Sequence, residues 1–429
     1  MEPQVPSLAG GAYEAVDASF LRIGTKLRIP IYDELDILLL AEGYVITETF
    51  LARLKQRGIA KVKVHESEMS RVYAGQPLGT ATEVPDDHEG HLCPLKNDAS
   101  IQLDQEVLRG KIGLPPQGDP HARHVRLHSS TSYDEVVLDA FVEKHSQAVA
   151  EMEGVFEDLV QGQGLNSEAL SGISENCLEE IVEDFDVFAC IGINPYSDRY
   201  PPRHSMHVCM LATAIGTHLR LDKKTLKELA IGCLIHDAGM LKIDHAVYES
   251  PRRLDRVTFL EITKHPILIF DMMLDMRAVS SRSAYVAYQM HERANGSGYP
   301  RRRESARIHF LSKVAAVADV YVGLVSPRPH RPPLLPYYAM EKMIRSAHRG
   351  AFDATVVRAL LRTIALFPIG SYVELDDERV GRVIRANADA YDRPVLEVWK
   401  RGEFQKQPAT LDLREEAGVK IVRPLSKIA

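Results

Sequence analysis

The feature that most constrains the fold of this chain is helical periodicity, which runs from about Ser132 to Leu366 and places histidine and aspartate on apolar faces. His204, for example, shares one helical face with Val208 and Leu211. A histidine that faces the core needs a polar partner, because burying its ring nitrogens without one costs free energy. The pattern therefore predicts a mainly α fold, a helical bundle with a polar site inside it.

Other helices in this stretch bring polar residues to the same interior. A helix from about residue 223 to 238 ends on the adjacent His236 and Asp237, and a later helix carries His291 on its apolar face. Asp319 lies in the apolar sequence Val-Ala-Ala-Val-Ala-Asp-Val, where an uncompensated carboxylate would be costly or would protonate. A cation is therefore expected beside it.

Together with His265, which ends another helical stretch, these residues supply six nitrogen and oxygen donors, a number that suits two adjacent divalent metal ions. Two such ions opposite two carboxylates leave positive charge for a phosphate oxygen, so a phosphodiester suits the site. Histidine and carboxylate donors without thiolate favour iron or manganese over a structural zinc centre. The predicted ligands are His204, His236, Asp237, His265, His291 and Asp319.

Turn residues and local composition divide the rest of the chain. Short apolar runs between glycines, with Thr47 as a helix N-cap, predict a small N-terminal α/β module, and polar sequence rich in proline and glycine predicts a linker after it. Short β-like runs after Phe367 predict a C-terminal β extension. The predicted domains are the N-terminal module at 12–66, a largely irregular linker at 67–130, connecting helices at 131–185, the helical domain at 186–366 and the β extension at 367–429.

Overall charge and cysteine usage exclude several classes of protein. A net charge of −7 and a pI near 6.2 argue against DNA or RNA as partners, since such proteins usually present a basic field to the phosphates. The five cysteines are odd in number and form no CxxC pair, which is typical of reduced thiols. Without a secretory leader or a long apolar stretch, the sequence predicts a cytoplasmic protein that has no membrane span.

Five segments of the helical stretch resemble a known family, the HD-GYP branch of the HD phosphohydrolase superfamily. They are similar to the family's opening histidine helix, HD motif, GYP signature, late aspartate motif and basic segment. The segments are HisSerMetHisVal at 204–208, HisAspAlaGly at 236–239, HisGluArgAlaAsnGlySerGlyTyrPro at 291–300, AlaAspValTyr at 318–321 and SerProArgProHisArg at 326–331.

The resemblance implies an HD-type helical bundle that hydrolyses cyclic di-GMP, a bacterial second messenger, to the linear dinucleotide. It implies that the six residues given above bind two metal ions, with Asp237 and His236 at the catalytic centre. It also implies that Arg328 and Arg331 hold the phosphates of the dinucleotide by charge-assisted hydrogen bonds. The residues of the GYP signature expected to contact the ligand are Gly298, Tyr299 and Pro300.

Three positions depart from the family's pattern. Met290 stands where the family usually has the first of two consecutive histidines, and Met240 stands where a lysine usually ends the HD motif. Lys242 replaces that lysine only if the loop bends, and Tyr200 occupies the position of a glutamate that binds a third metal ion in some members. The alternative to an active phosphodiesterase is therefore a catalytically weak or inactive receptor for cyclic di-GMP.

Two further questions stay open from the sequence. Another HD phosphohydrolase, acting on nucleotides or phosphomonoesters, is a third alternative, and the complete GlyTyrPro argues against it. The sequence leaves undecided whether the chain forms a homodimer or binds a signalling protein.

The run Arg301 to Arg303 is expected to be a solvated face, although one of its members could steer an anion. The donors in HisGluGlyHisLeuCys at 88–93 are expected to be solvated in the linker.

Overall fold

A computed structural model divides the chain into two compact units, 1–90 and 91–429, each with its own core. The residues that it describes are 13–33, 38–40, 43–48, 50–51, 54, 59–73, 98–110, 113–126, 135–192, 200–244, 256–273, 279–327, 331–387, 390–416 and 418–426.

The first unit is built on a four-stranded antiparallel sheet in the order β1-β4-β2-β3. The Thr47 hydroxyl accepts a hydrogen bond from the Phe50 amide at 3.1 Å, so the predicted N-cap is confirmed. The core continues through the short helix α1 to Tyr73, beyond the predicted boundary at residue 66. The elements are β1 Tyr13–Asp17, β2 Ile31–Asp33, β3 Leu38–Leu40, β4 Lys61–His65 and α1 Met69–Val72.

The second unit is mainly helical, as the periodicity predicts. Its helices are α2 Asp98–Leu108, α3 Glu135–Val160, α4 Ser167–Glu183, α5 Phe185–Gly192, α6 Pro202–His218, α7 Lys223–Ile235, α8 Arg256–Ile262, α9 His265–Met273, α10 Ser281–Gln289, α11 Phe310–Val325, α12 Pro336–His348 and α13 Ala354–Ile364. Helix α6 lies at the centre and packs against α3, α5, α7, α11 and α13, so it is buried on almost all sides. In the described part of the chain, no helix is both long and apolar enough to cross a membrane.

Helices α7 and α10 approach each other closely at Gly232. A Cβ atom at this position would lie 2.5 Å from the Cβ of Val286 and 2.8 Å from the carbonyl oxygen of Ser283. Only glycine allows this separation, since backbone and Cβ atoms cannot rotate away from a contact. His236 and His291 follow the C-terminal ends of these two helices.

Within the predicted linker, 67–130, the structure describes helix α2. The bounds of the linker and its largely irregular character stay predictions. Helix α2 packs against α9, and its Asp104 and Glu106 accept hydrogen bonds from the hydroxyls of Tyr288 and Tyr285 at 2.8 and 2.7 Å. Contacts with residues so far along the chain leave no periodic pattern, so sequence analysis does not predict the helix. The segment 88–93 lies outside the described residues.

A five-stranded antiparallel sheet confirms the predicted β extension. Nη1 of the buried Arg385 donates to both carboxylate oxygens of Asp184, at 3.1 and 3.0 Å, and joins the sheet to the bundle. Asp184 also accepts the amide of Val187 in the first turn of α5. The strands, in the order β8-β7-β6-β5-β9, are β5 Tyr372–Leu375, β6 Val380–Arg385, β7 Val395–Trp399, β8 Ala409–Asp412 and β9 Ile421–Leu425.

Candidate metal centre

Five helices bring the six predicted ligands to one place inside the bundle. Five of the six side chains belong to residues that are more than nine-tenths buried, and only Asp319 is partly open, with 13% of its side chain exposed. The ligands are His204 on α6, His236 and Asp237 after α7, His265 at the start of α9, His291 after α10 and Asp319 on α11.

The buried donors form two groups that share Asp237. The first group is His204, His236 and Asp237, the second group is Asp237, His265 and His291, and in each the ligand atoms all lie within 4.8 Å of one another. Oδ1 of Asp237 lies 3.3 Å from Nε2 of His236 and 3.4 Å from Nε2 of His265. Nε2 of His265 also lies 2.9 Å from Nε2 of His291.

Asp319 belongs to neither group and contacts one histidine of each. Its Oδ1 lies 3.2 Å from Nε2 of His204, within hydrogen-bond distance, and its Oδ2 lies 3.5 Å from Nδ1 of His291. The carboxylate that the sequence places in an apolar helix therefore has partners that compensate its charge.

The rings of His236 and His265 are held with Nε2 directed to the centre. Nδ1 of His236 donates to the carbonyl oxygen of Cys233 at 2.7 Å, and Nδ1 of His265 donates to that of Ile262 at 2.7 Å. A proton fixed on Nδ1 leaves the lone pair on Nε2, and a hydrogen bond of this kind commonly orients metal-bound histidine. Each ring thus presents an acceptor nitrogen to its group.

The charges at the centre suit metal ligation. Burial raises the pKa of Asp237, but the surrounding histidines, above all His236, outweigh burial and hold the pKa well below its usual range. Burial, together with His291, lowers the pKa of His265 to about 3. Asp237 is therefore ionised and His265 neutral near pH 7, the states in which these side chains bind metal ions.

The residues present fit metal ions for one further reason. Nε2 of His236 is fully buried and has no hydrogen-bond partner among the described residues, although Oδ1 of Asp237 lies 3.3 Å away. Burial lowers the pKa of His236, yet Asp237 outweighs burial and raises it, so the position attracts a cation. A buried polar atom without a partner is costly, and a metal ion would satisfy it.

The donors open onto a cavity of about 600 Å³, within the size range of small-molecule sites. Tyr299 lines it, and the Tyr299 ring stacks on that of His291 with centroids 4.9 Å apart and planes inclined by 5°. Gly298 also lines it, and a Cβ there would lie 2.4 Å from the amide nitrogen of Arg293. This glycine therefore lets the loop approach its own backbone. The contact of Gly298 with the ligand, expected from the sequence, stays a prediction.

Two other residues implied to bind the ligand, Pro300 and Arg331, are not among the described residues that line the cavity. Pro300 is buried, and Arg328 lies outside the described residues. The guanidinium of Arg331 donates to the carbonyl oxygens of Gly323 and, at 3.2 Å, of Leu324, at the end of α11. Arg331 thus caps a helix, and its contact with a phosphate stays a prediction.

The methionines that depart from the family's pattern are both buried. Met290 packs in the apolar core and does not occur among the described residues of the cavity wall. Met240 lines the cavity where the family usually has a lysine, whereas Lys242 is exposed at the end of the short 3-10 helix Ala238–Lys242. Neither methionine supplies the imidazole or ammonium group that is usual at its position.

Sequence analysis missed several residues of the site. The Tyr200 hydroxyl donates to Oδ2 of Asp237 at 2.9 Å, so the residue in the place of a glutamate holds the shared carboxylate. Arg293 lines the cavity with its guanidinium 5.1 Å above the ring of Phe352. The position of Arg293 within the GYP signature was an available signal, whereas nothing in the sequence marks Phe259, which also lines the wall.

Known proteins share this region of the chain. The model of the HD domain family matches residues 193–356. The chain is 28% identical over 255 residues to cyclic di-GMP phosphodiesterase PA4108 of Pseudomonas aeruginosa, over 59% of this chain and 61% of the relative. It is 29% identical over 162 residues to 3'3'-cGAMP-specific phosphodiesterase 1 of Vibrio cholerae, over 37% of each protein. Among solved structures, Bd1817, a HDG"Y"P protein from Bdellovibrio bacteriovorus, aligns with a TM-score of 0.43 and 17% identity over 81% of this chain and 98% of that chain.

Residues 193–356 therefore match an HD domain, and all six residues of the histidine and aspartate centre lie within this match. The resemblance to HD-GYP proteins is confirmed as well, since several curated relatives are named cyclic di-GMP phosphodiesterases. The chain spans less than two thirds of the length of these relatives.

Proposed function

We propose that the protein hydrolyses cyclic di-GMP to the linear dinucleotide with the help of bound metal ions. The observation that carries this proposal is the buried carboxylate of Asp237, which belongs to both donor groups beside a cavity large enough for a small ligand. Phosphodiester charge suits such a centre, and Tyr299, Phe259 and Phe352 offer aromatic surface to a nucleobase. Relatives named cyclic di-GMP phosphodiesterases support the choice of substrate.

Two divalent ions, iron or manganese, are proposed as cofactors, one at the first group and one at the second, with Asp319 as a further ligand. When bound, such ions lower the pKa of water and stabilise the charge that develops on a phosphate. The nitrogen and oxygen donors favour these metals over those that prefer thiolate. The overlap of the two groups at one carboxylate supports two ions rather than one.

Residues of the chain orient the reacting groups. Tyr200 fixes one oxygen of Asp237 and leaves Oδ1 directed between the histidines of the two groups. Arg293 brings positive charge to the described cavity wall, where it attracts a phosphate. Arg328 and Arg331 are proposed to hold the phosphates as well.

The test uses the purified full chain, reconstituted with iron or manganese and incubated with labelled cyclic di-GMP, with binding and linear product measured in the same samples. Asp237→Asn should lose metal and product, whereas the control Lys242→Ala, exposed and outside the described cavity wall, should retain both. A parallel reaction with 3'3'-cGAMP decides between the two dinucleotides named for the relatives. Bound dinucleotide without any product from the metal-loaded protein would contradict hydrolysis.

A receptor for cyclic di-GMP is the second candidate function. Two methionines favour this function. Met290, in the apolar core, supplies no nitrogen ligand where the family usually has a histidine. Met240, in the cavity wall, supplies no positive charge where the family usually has a lysine. Another HD phosphohydrolase, acting on nucleotides or phosphomonoesters, is a third candidate that the GYP segment disfavours. Three statements stay predictions: that the protein is cytoplasmic, that it binds no DNA or RNA, and that it forms a homodimer or binds a signalling protein.

A further inference from the structure

We propose that Asp104 on helix α2 is a positioning residue that holds the GYP segment, and with it His291, in place for metal binding. The inference rests on the proposed function, because it concerns the second group of metal donors. It assigns a role in the site to a segment upstream of the HD domain, which begins at residue 193.

Three side chains converge on the Asp104 carboxylate. The hydroxyl of Tyr288 donates to Oδ1 at 2.8 Å, Nε of Arg301 donates to Oδ2 at 3.2 Å, and Nη2 of Arg303 donates to Oδ1. The side chains of Arg301 and Arg303 are only 4% and 9% exposed. Buried guanidinium groups need an anion, since an unpaired buried charge is strongly destabilising. The arginine run is therefore not the solvated face that the sequence suggests.

The main chain of the same arginines is held from the other side by Glu292. Its Oε1 accepts the amide of Arg301 at 2.7 Å, and its Oε2 accepts the amide of Arg303 at 2.9 Å. Arg302, between them, has a φ of 54°, which a residue with a side chain adopts only when its surroundings impose it. The segment after Pro300 is thus held by two carboxylates, one through its side chains and one through its amides.

These contacts lead directly to the metal donors. Glu292 follows His291 in the chain, and the amide of Tyr299 donates to the His291 carbonyl oxygen at 3.1 Å while the two rings stack. Tyr288 precedes His291 by three residues and Arg301 follows it, so Asp104 forms hydrogen bonds with the chain on both sides of this ligand. Helix α2 also packs against α9, which begins at His265 of the second group. Loosening Asp104 should therefore disturb the second group and spare the first.

The chain offers a matched control for the docking of helix α2 alone. Glu106 lies on the same helix and accepts the hydroxyl of Tyr285 at 2.7 Å, one turn before Tyr288 on α10. Tyr285→Phe and Tyr288→Phe each remove the hydroxyl hydrogen bond between the same two helices, and Tyr288→Phe also removes the hydrogen bond of this hydroxyl with Arg301 in the positioned segment. A purely structural role predicts the same effect for both variants, whereas the positioning role predicts a difference.

The experiment titrates Mn²⁺ into the metal-free full chain without any nucleotide, by calorimetry and by the EPR spectrum of bound Mn²⁺. His291→Ala identifies the binding phase of the second group, and His204→Ala identifies that of the first. Tyr288→Phe and Asp104→Asn should weaken the second phase at least fivefold and leave the first unchanged, while Tyr285→Phe and Glu106→Gln should change neither. Melting curves report whether each variant folds, and Tyr288→Phe, which leaves both ion pairs intact, retains the test if Asp104→Asn unfolds.

Equal second-phase affinities for Tyr288→Phe and Tyr285→Phe would overturn the proposal, as would a wild-type titration without any phase that depends on His291. The outcome is independent of hydrolysis, because no substrate is present. A protein that shows the selective loss but yields no linear dinucleotide retains the positioning role and loses the proposed reaction. If the protein hydrolyses the dinucleotide but shows no selective loss of the second binding phase, the proposed reaction stands and the positioning role of Asp104 is wrong.

Discussion

Replacement of Gly239 by alanine should separate the two loops that carry Asp237 and His265. A Cβ at Gly239 would lie 2.0 Å from the carbonyl oxygen of His265 and 2.8 Å from its carbonyl carbon, whereas ordinary contacts begin near 3.4 Å. Backbone atoms cannot rotate away, so the segment at His265 would have to retreat by more than about 1 Å. Metal–ligand distances tolerate deviations of only about 0.2 Å, so the second group should lose the His265 donor.

We therefore expect Gly239→Ala to weaken the binding of the second metal ion by roughly 10- to 100-fold, the loss typical of a disturbed ligand support, and to destabilise the fold by about 1–3 kcal/mol, as overpacked cores do. Metal titration of the metal-free protein and thermal unfolding measure the two effects. Gly172→Ala on α4, where no atom of the described residues lies within 4 Å of the added Cβ, is the control and should leave metal binding unchanged. Wild-type metal affinity in Gly239→Ala would refute the reasoning from this contact.

Four further outcomes are expected. Asp237→Ala should leave little bound metal, because both donor groups lose a member, and wild-type metal content in the purified variant would show that the centre lies elsewhere. The double variant Arg328→Ala, Arg331→Ala should bind cyclic di-GMP at least tenfold more weakly in calorimetry while metal content is unchanged, and unchanged affinity would remove the phosphate role from this segment. Met290→His should raise metal content and the rate of hydrolysis at low metal, and equal values for both proteins over a metal titration would show that the substitution is neutral. Burial raises the pKa of Glu180 from 4.5 to about 7, so this carboxyl costs stability as pH rises through that window. Glu180→Gln should accordingly stabilise the protein by up to about 3 kcal/mol at pH 8 and little at pH 4, and a pH-independent difference in urea unfolding would contradict this.

Local patterns predict the parts of the site that lie on regular helices. His204 shares a face with apolar residues, and the position of His236 and Asp237 at the end of α7 follows from the same periodicity. The same periodicity places His291 on an apolar face, although this residue lies just after the regular part of α10. Apolar periodicity predicts which side chains are buried. These side chains then lie near one another because helix packing brings the helix ends together.

The contacts that orient the site are of another kind, and the sequence does not predict them. The hydrogen bond from Tyr200 to Asp237 and the ion pairs of Asp104 join residues far apart in the chain. Helix α2 is held in position by such long-range pairs. Neither apolar periodicity nor turn residues in the sequence therefore predict it. The helix-capping contact of Arg331 is also not predicted from the sequence. An arginine in a motif can donate hydrogen bonds either to a phosphate or to backbone carbonyl oxygens, and the motif does not distinguish the two.

The buried pair between Arg385 and Asp184 bears on how this protein can be divided for experiments. A fragment cut at residue 367 would leave the Asp184 carboxylate without its guanidinium partner, and would expose the apolar side chains of Leu366 and Tyr337 that pack against the sheet. The C-terminal sheet therefore belongs to the same compact unit as the helices, and truncation or module exchange at residue 367 would divide that unit.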